Sequence, residues 1–91
     1  MIMFGGNLVN IIARTTKQTG AALRRIRRQR SMTQAELGQK MHVRQATVSK
    51  LEAGEPATQL RIFMDALSAL DLELVIRPRS SAPADNIEDL F

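Results

Sequence analysis

Apolar residues recur at three- and four-residue steps in four successive stretches of the chain, then shift to near-alternation before a proline. Such spacing predicts helices, because positions three and four apart share one helix face. The first begins near Thr16, with Thr16 or Thr19 as its cap. Leu23 and Ile26 turn inward and the arginines outward, and it ends near Arg30. Thr33 with Glu36 three residues later is a capping-box spacing, in which hydroxyl and carboxylate satisfy orphan backbone donors. It opens a second helix over about 34–41 with Leu37 and Met41 inward, where Gly38 trades helix propensity for a close backbone approach. After His42-Val43-Arg44 a third helix runs to about Ala53, with Val48 and Leu51 inward and Gly54 and Pro56 ending it. Thr58 is the expected cap of a fourth, to about Leu70, whose Leu60, Phe63, Met64, Leu67 and Leu70 make a core stripe.

From Leu72 to Arg77 the pattern becomes strand-like, alternating at first and β-branched after, and Pro78 stops it. A lone strand leaves backbone groups unpaired. In a helical domain its simplest partner is its own copy in a second subunit, which predicts a homodimer joined through Leu72, Leu74, Val75 and Ile76. The expected fold is therefore all-α, with one C-terminal strand paired across a homodimer. The expected divisions are an arm at 1–15, a helical domain at 16–71, the dimerisation strand at 72–78 and a disordered acidic tail at 79–91. In the arm, Leu8, Val9, Ile11 and Ile12 have the spacing of a short amphipathic turn on Asn7.

Composition narrows the chemistry. Ninety-one residues suffice for one small domain with tails. Only 3% of residues are aromatic, so Leu, Ile, Val, Met and Ala must build the core. There is no cysteine and one histidine, His42, which leaves no thiolate zinc site, disulfide framework, nucleophile with its base, or metal ligand set. An enzyme is the least expected class, and no cofactor is implied. No apolar run approaches the ~20 residues that cross a bilayer, and the first residues lack the flanks of a signal peptide, so the expected compartment is the cytoplasm. The net charge is +4. Arg14, Lys17, Arg24, Arg25, Arg27, Arg28 and Arg30 all precede the first acidic residue, Glu36. A basic front half suits phosphates, and equally suits a solvated helix face.

Two helices joined by three or four residues, the second carrying polar residues opposite an apolar seam, can lay that second helix in the major groove of DNA. With Val48 and Leu51 inward, Arg44, Gln45 and Ser49 lie outward, flanked by Ala46 and Lys50. Gln can pair with adenine, Arg or Lys with guanine, and Ala can pack on a thymine methyl. Gln34, at the positive end of the second helix, is placed to grip a phosphate with backbone amides and its own carboxamide. Thr47 and Arg28 are weaker phosphate candidates.

The run Thr33-Gln34-Ala35-Glu36-Leu37-Gly38-Gln39-Lys40-Met41, followed by Gln45-Ala46-Thr47-Val48-Ser49-Lys50-Leu51-Glu52, resembles the phage-repressor-like helix-turn-helix family over residues 20–71. The resemblance implies an ion pair between Arg27 and Glu52 tying the first helix to the third. It also marks His42 as a departure, since the family usually has Gly at that turn and a positive φ strains other residues. Within that family, Gln45-Ala46-Thr47, the helix from Leu60 to Leu70, the strand from Leu72 to Arg77 and the acidic tail ending in an aromatic resemble the HipB-type antitoxins over 15–91. This implies a dimer that represses its own operon and holds a HipA-type serine/threonine kinase toxin inactive. Phe91, supported by Leu90, matches the family's tail contact with the kinase, although the family has Trp there and no N-terminal extension like this one. The alternatives are a plain phage-type or restriction-control repressor without a toxin partner, and an interaction module whose basic face binds an acidic protein.

Overall fold

In the computed structural model the backbone is described for residues 2–4 and 9–79, and the side chains from residue 11 to 79. Four helices carry the domain: α1 (Thr16–Gln29), α2 (Gln34–Met41), α3 (Gln45–Glu52) and α4 (Leu60–Ala69). Three short strands accompany them: β1 (Ile2–Phe4), β2 (Val9–Ile11) and β3 (Leu72–Leu74). No helix among the described residues is long and apolar enough to cross a membrane.

The helix boundaries have local causes. The α1 cap is Thr15, one residue before the earlier of the two expected threonines, and its hydroxyl accepts from the Gln18 backbone N–H at 3.0 Å. The α2 capping box is complete: the Glu36 N–H donates to Thr33 Oγ1 at 3.0 Å and the Thr33 N–H to Glu36 Oε1 at 2.9 Å. That helix ends on His42, which adopts the left-handed conformation at φ 59°, while the Val43 N–H closes back on the Gly38 carbonyl at 2.9 Å. Gly54, at φ 76°, ends the turn after α3 as its lack of a Cβ allows. The expected Thr58 cap of α4 is not found: Gln59 holds the cap position and makes no side-chain cap bond.

One core joins every helix. Ala22, Leu23 and Ile26 of α1 meet Leu37 and Met41 of α2, Val48 and Leu51 of α3, Ala66 and Leu67 of α4, then Leu70 and Leu72. Two close backbone approaches draw it tight. A Cβ on Gly38 would lie 2.9 Å from the Val43 carbonyl oxygen, and one on Gly20 only 2.5 Å from the Glu52 carbonyl oxygen. The fourth helix departs from the core stripe its periodicity predicts. Leu67 and Leu70 are buried, Phe63 is half-buried, but Leu60 is 69% and Met64 44% exposed.

The strand also departs from expectation. It covers Leu72–Leu74 and not the whole of 72–78, and it is not alone: the sheet order is β2-β1-β3, all neighbours antiparallel. Ile2 stands opposite Leu74 and Phe4 opposite Leu72, so the N-terminal segment pairs one edge of β3 within the same chain, and β3, as the end strand, keeps its other edge for the pairing expected with a second subunit. The amphipathic turn expected near residues 8–12 is likewise replaced by β2, with Val9 opposite Phe4 and Ile11 opposite Ile2. Val75 and Ile76 lie beyond the strand, half-buried and 89% exposed respectively. The tail from 80 to 91, including Leu90 and Phe91, lies outside the described residues.

Candidate nucleic-acid interface

The site is built on the α2-turn-α3 unit. The left-handed turn at His42 reverses the chain within three residues, and Gly38 lets the incoming backbone pass against α2. Val48 and Leu51 anchor α3, each near zero exposure, which sets the rotation of that helix about its axis. Gln45, Ala46, Ser49 and Lys50 are consequently exposed, and Arg44 is exposed at the cap position with extended backbone. At 3.6 residues per turn, the middle of this outward face falls among Ala46, Ser49 and Lys50. Gln45 sits at its edge toward α2.

The supposed phosphate contacts separate. Thr47 is half-buried and, with Lys50, borders a hollow closed by Thr58, Gln59 and Ile62, on the flank of α3 away from Gln45. Arg28 is exposed beside Arg24 and Arg25 along α1. Gln34 is half-buried, and its carboxamide is engaged within the protein: Nε2 donates to Glu52 Oε1 at 3.1 Å, and Oε1 faces Gln45 Nε2 at 3.5 Å. A side-chain grip on phosphate by Gln34 therefore has at most its second N–H.

Beneath that face lies a buried ion pair. Arg27 donates from Nε to Glu52 Oε2 at 2.6 Å and from Nη2 to Oε1 at 3.0 Å, while Nη1 donates to the Met32 carbonyl at 2.6 Å. Both residues are 7% exposed, so Arg27 does not turn outward with the other arginines of its helix. The hydrogen bond to Glu52 raises the guanidinium above its ordinary pKa, against burial, which acts to lower it. The pair ties α1 to α3 and, through Met32, to the link before α2. Sequence reasoning missed the continuation from Glu52 to Gln34 to Gln45. The signal available was the placement of Gln34 at the start of one helix and Gln45 at the start of the next, eleven residues apart.

Comparison with known proteins agrees with this geometry. A helix-turn-helix family model matches residues 23–76. Antitoxin HipB of Escherichia coli (strain K12) is 31% identical over 71 residues, which cover 78% of this chain and 81% of the relative. Antitoxin HipB of Escherichia coli O6:H1 has the same identity over 76% of its length. Among solved structures, a HipB-O4 20mer complex superposes with a TM-score of 0.73 at 28% identity, covering 78% of this chain and all of that one. A HipA-HipB-O2-O3 complex matches with the same score, identity and coverage. The chain belongs to the helix-turn-helix family and, within it, to the HipB antitoxins.

Proposed function

We propose that this chain is a dimeric, sequence-specific DNA-binding antitoxin that represses its own toxin-antitoxin operon and neutralises a HipA-type serine/threonine kinase. The observation that carries the reading is the exposed polar face of α3, held at a set rotation by its buried seam, on a domain whose relatives are HipB proteins in complex with a 20mer and with HipA. A binding module of this kind needs no catalytic group or cofactor, and it works in the cytoplasm.

In this mechanism α3 enters the major groove. Gln45, Ala46, Ser49 and Lys50 meet base edges, Arg44 reaches bases or backbone at the helix start, and Arg28 and Thr47 approach phosphates on either flank. Gln34 contributes its backbone at the positive end of α2 more than its side chain. Two copies place two reader helices about 34 Å apart on one face of a palindromic site. The dimer is supported by exposed apolar side chains around Leu74, which borders hollows lined also by Leu60 and Phe63, by Met64 and Leu72, and by Ile12 and Ile76. Leu60 and Ile76 are the most exposed large apolar side chains among the described residues. The tail, with Leu90 and Phe91, is the proposed contact with the kinase.

The test is a tagged pull-down from the native cell with the full chain and with a version ending at Pro78. Both retained DNA and retained protein are sequenced. The expected result is a palindromic site upstream of the chain's own gene and a HipA-type kinase whose recovery drops with the truncation. Recovery of the DNA site alone reduces the function to a plain dimeric repressor. Recovery of neither removes the reading.

A further inference from the structure

The N-terminal hairpin matches β3 in register as well as in position. Ile2 stands opposite both Leu74 and Ile11, and Phe4 opposite both Leu72 and Val9. Residues directly opposite in an antiparallel sheet share a face, and so do alternate residues of one strand. One face therefore carries two apolar rows, Ile11-Ile2-Leu74 and Val9-Phe4-Leu72, and the other face the row Asn10-Met3-Glu73. On the apolar face Leu72 belongs to the core and Ile11 packs against it. A slip of one residue would exchange the faces, so the pattern of the hairpin specifies its pairing with β3. The free side of β3 is specified in turn. It is an end strand of three residues, with β1 on one edge and the other edge unpaired among the described residues. At alternate positions exposure climbs from 9% at Leu72 to 38% at Leu74 and 89% at Ile76. The chain here runs off its own core, and a second copy related by a two-fold axis would supply both the missing cover and the missing edge.

We propose that the hairpin of residues 2–11 is a dimerisation element: pairing along one edge of β3, it holds that strand extended for the β3 of a second copy. Two three-stranded sheets then join edge to edge in the order β2-β1-β3-β3-β1-β2, the middle two strands coming from different copies. The physical reason is the shortness of β3. A two-stranded ribbon is marginal in water, whereas three or more strands with an apolar face hold together. Ordering β3 within its own chain also removes the cost of fixing its backbone from the association step. The hairpin lies outside the α2-turn-α3 unit, and the core among the described side chains is drawn from Ala22 to Leu72. It therefore acts on operator affinity through dimerisation alone and leaves base preference untouched. This inference rests on the dimeric DNA-binding function proposed above.

The test compares the full-length protein with Met3→Pro and Met3→Ala. Met3 is the middle residue of the central strand, where a backbone N–H points to β2 or to β3; proline removes it and alanine keeps it. By sedimentation equilibrium, Met3→Pro is expected to raise the dimer dissociation constant by about tenfold or more and Met3→Ala by about threefold or less. Helical circular dichroism and the sequence selected from a randomised duplex library are expected to stay as in wild type. A second measurement needs no variant: hydrogen exchange, read by mass spectrometry above and below the dissociation constant of wild type. The amides of 2–4 and 72–74 are expected to lose protection together on dilution. If Met3→Pro fails to fold, this measurement decides. A dissociation constant in Met3→Pro equal to that of wild type overturns the proposal, and so does a lower one, which would make β1 a competitor for the partner's strand. Protection of 2–4 that is indifferent to dilution overturns it as well. All three leave the dimer standing. A wild type that stays monomeric on its operator removes the dimer, and the role of the hairpin with it.

Discussion

Gly20 shows what a single missing methyl does in this domain. It sits inside α1, where a glycine ordinarily costs about 1 kcal/mol relative to alanine. Here the Cβ of alanine would stand 2.5 Å from the Glu52 carbonyl oxygen and 2.7 Å from that of Leu51, both backbone atoms that cannot turn away. Gly20→Ala should therefore lower stability by about 1–3 kcal/mol, in spite of the better helix former. For a domain of this size, thermal melting should fall by about 4–8 °C per kcal/mol. A melting temperature unchanged or raised would mean that α3 recoils freely from α1. Arg27 carries a similar lesson in charge: its place in a row of arginines suggests an outward side chain, yet it is the one in contact with Glu52, as the family resemblance implies, while its neighbours Arg24, Arg25 and Arg28 face solvent.

At the scale of elements, α2 is held by its first turn and its last. The carboxyl of Glu36 is lowered in pKa by hydrogen bonding to Thr33, through the backbone first and the side chain second. A depressed carboxylate contributes stability that is present above its unfolded pKa and lost as pH falls through the folded one. Thr33→Ala should cost about 1 kcal/mol at neutral pH. In urea titrations the gap between wild type and variant should narrow, without vanishing, once acid protonates Glu36, because the bond from the Glu36 N–H to the hydroxyl survives protonation. A gap independent of pH would show that the two halves of the capping box act separately. The helix α4 is the contrasting case, an amphipathic element whose eight-residue span from Leu60 to Leu67 turns only part of its apolar side to the core.

For the whole molecule, the consequence is a set of exposed large apolar side chains, with Leu60 at 69%, Ile76 at 89% and Ile12 at 50% exposure. Where such side chains gather into one patch, they mark an association surface. Replacing Leu60 and Ile76 together by Glu should turn a dimer into a monomer with unchanged helical content, read by sedimentation velocity and circular dichroism. Because both side chains are largely outside the core, the fold should survive the change. A variant that remains dimeric would move the contact between copies elsewhere, and a wild type that is monomeric would remove the two-helix mode of DNA reading.

Four helices, their order, the capping box, the turn at His42 and the outward residues of α3 were legible from the sequence because each depends on short spacing: three to four residues along a helix, three from cap to carboxylate. The Arg27 and Glu52 pairing was legible through family resemblance and not through spacing, since 25 residues separate them. Tertiary structure decided what depends on distant segments meeting. It placed β1 beside β3, across about 70 residues of chain, and so paired one edge of a strand that by itself called for a second subunit, while β3 remains the end strand of the sheet with its other edge unpaired among the described residues. It decided that Leu60 and Met64 face outward although their periodicity is that of Leu67, because periodicity defines a face and only the neighbouring elements determine how much of it is covered. It also joined Glu52, Gln34 and Gln45, whose contact arises only once α2 and α3 are docked at the angle that Gly38 and the His42 turn allow.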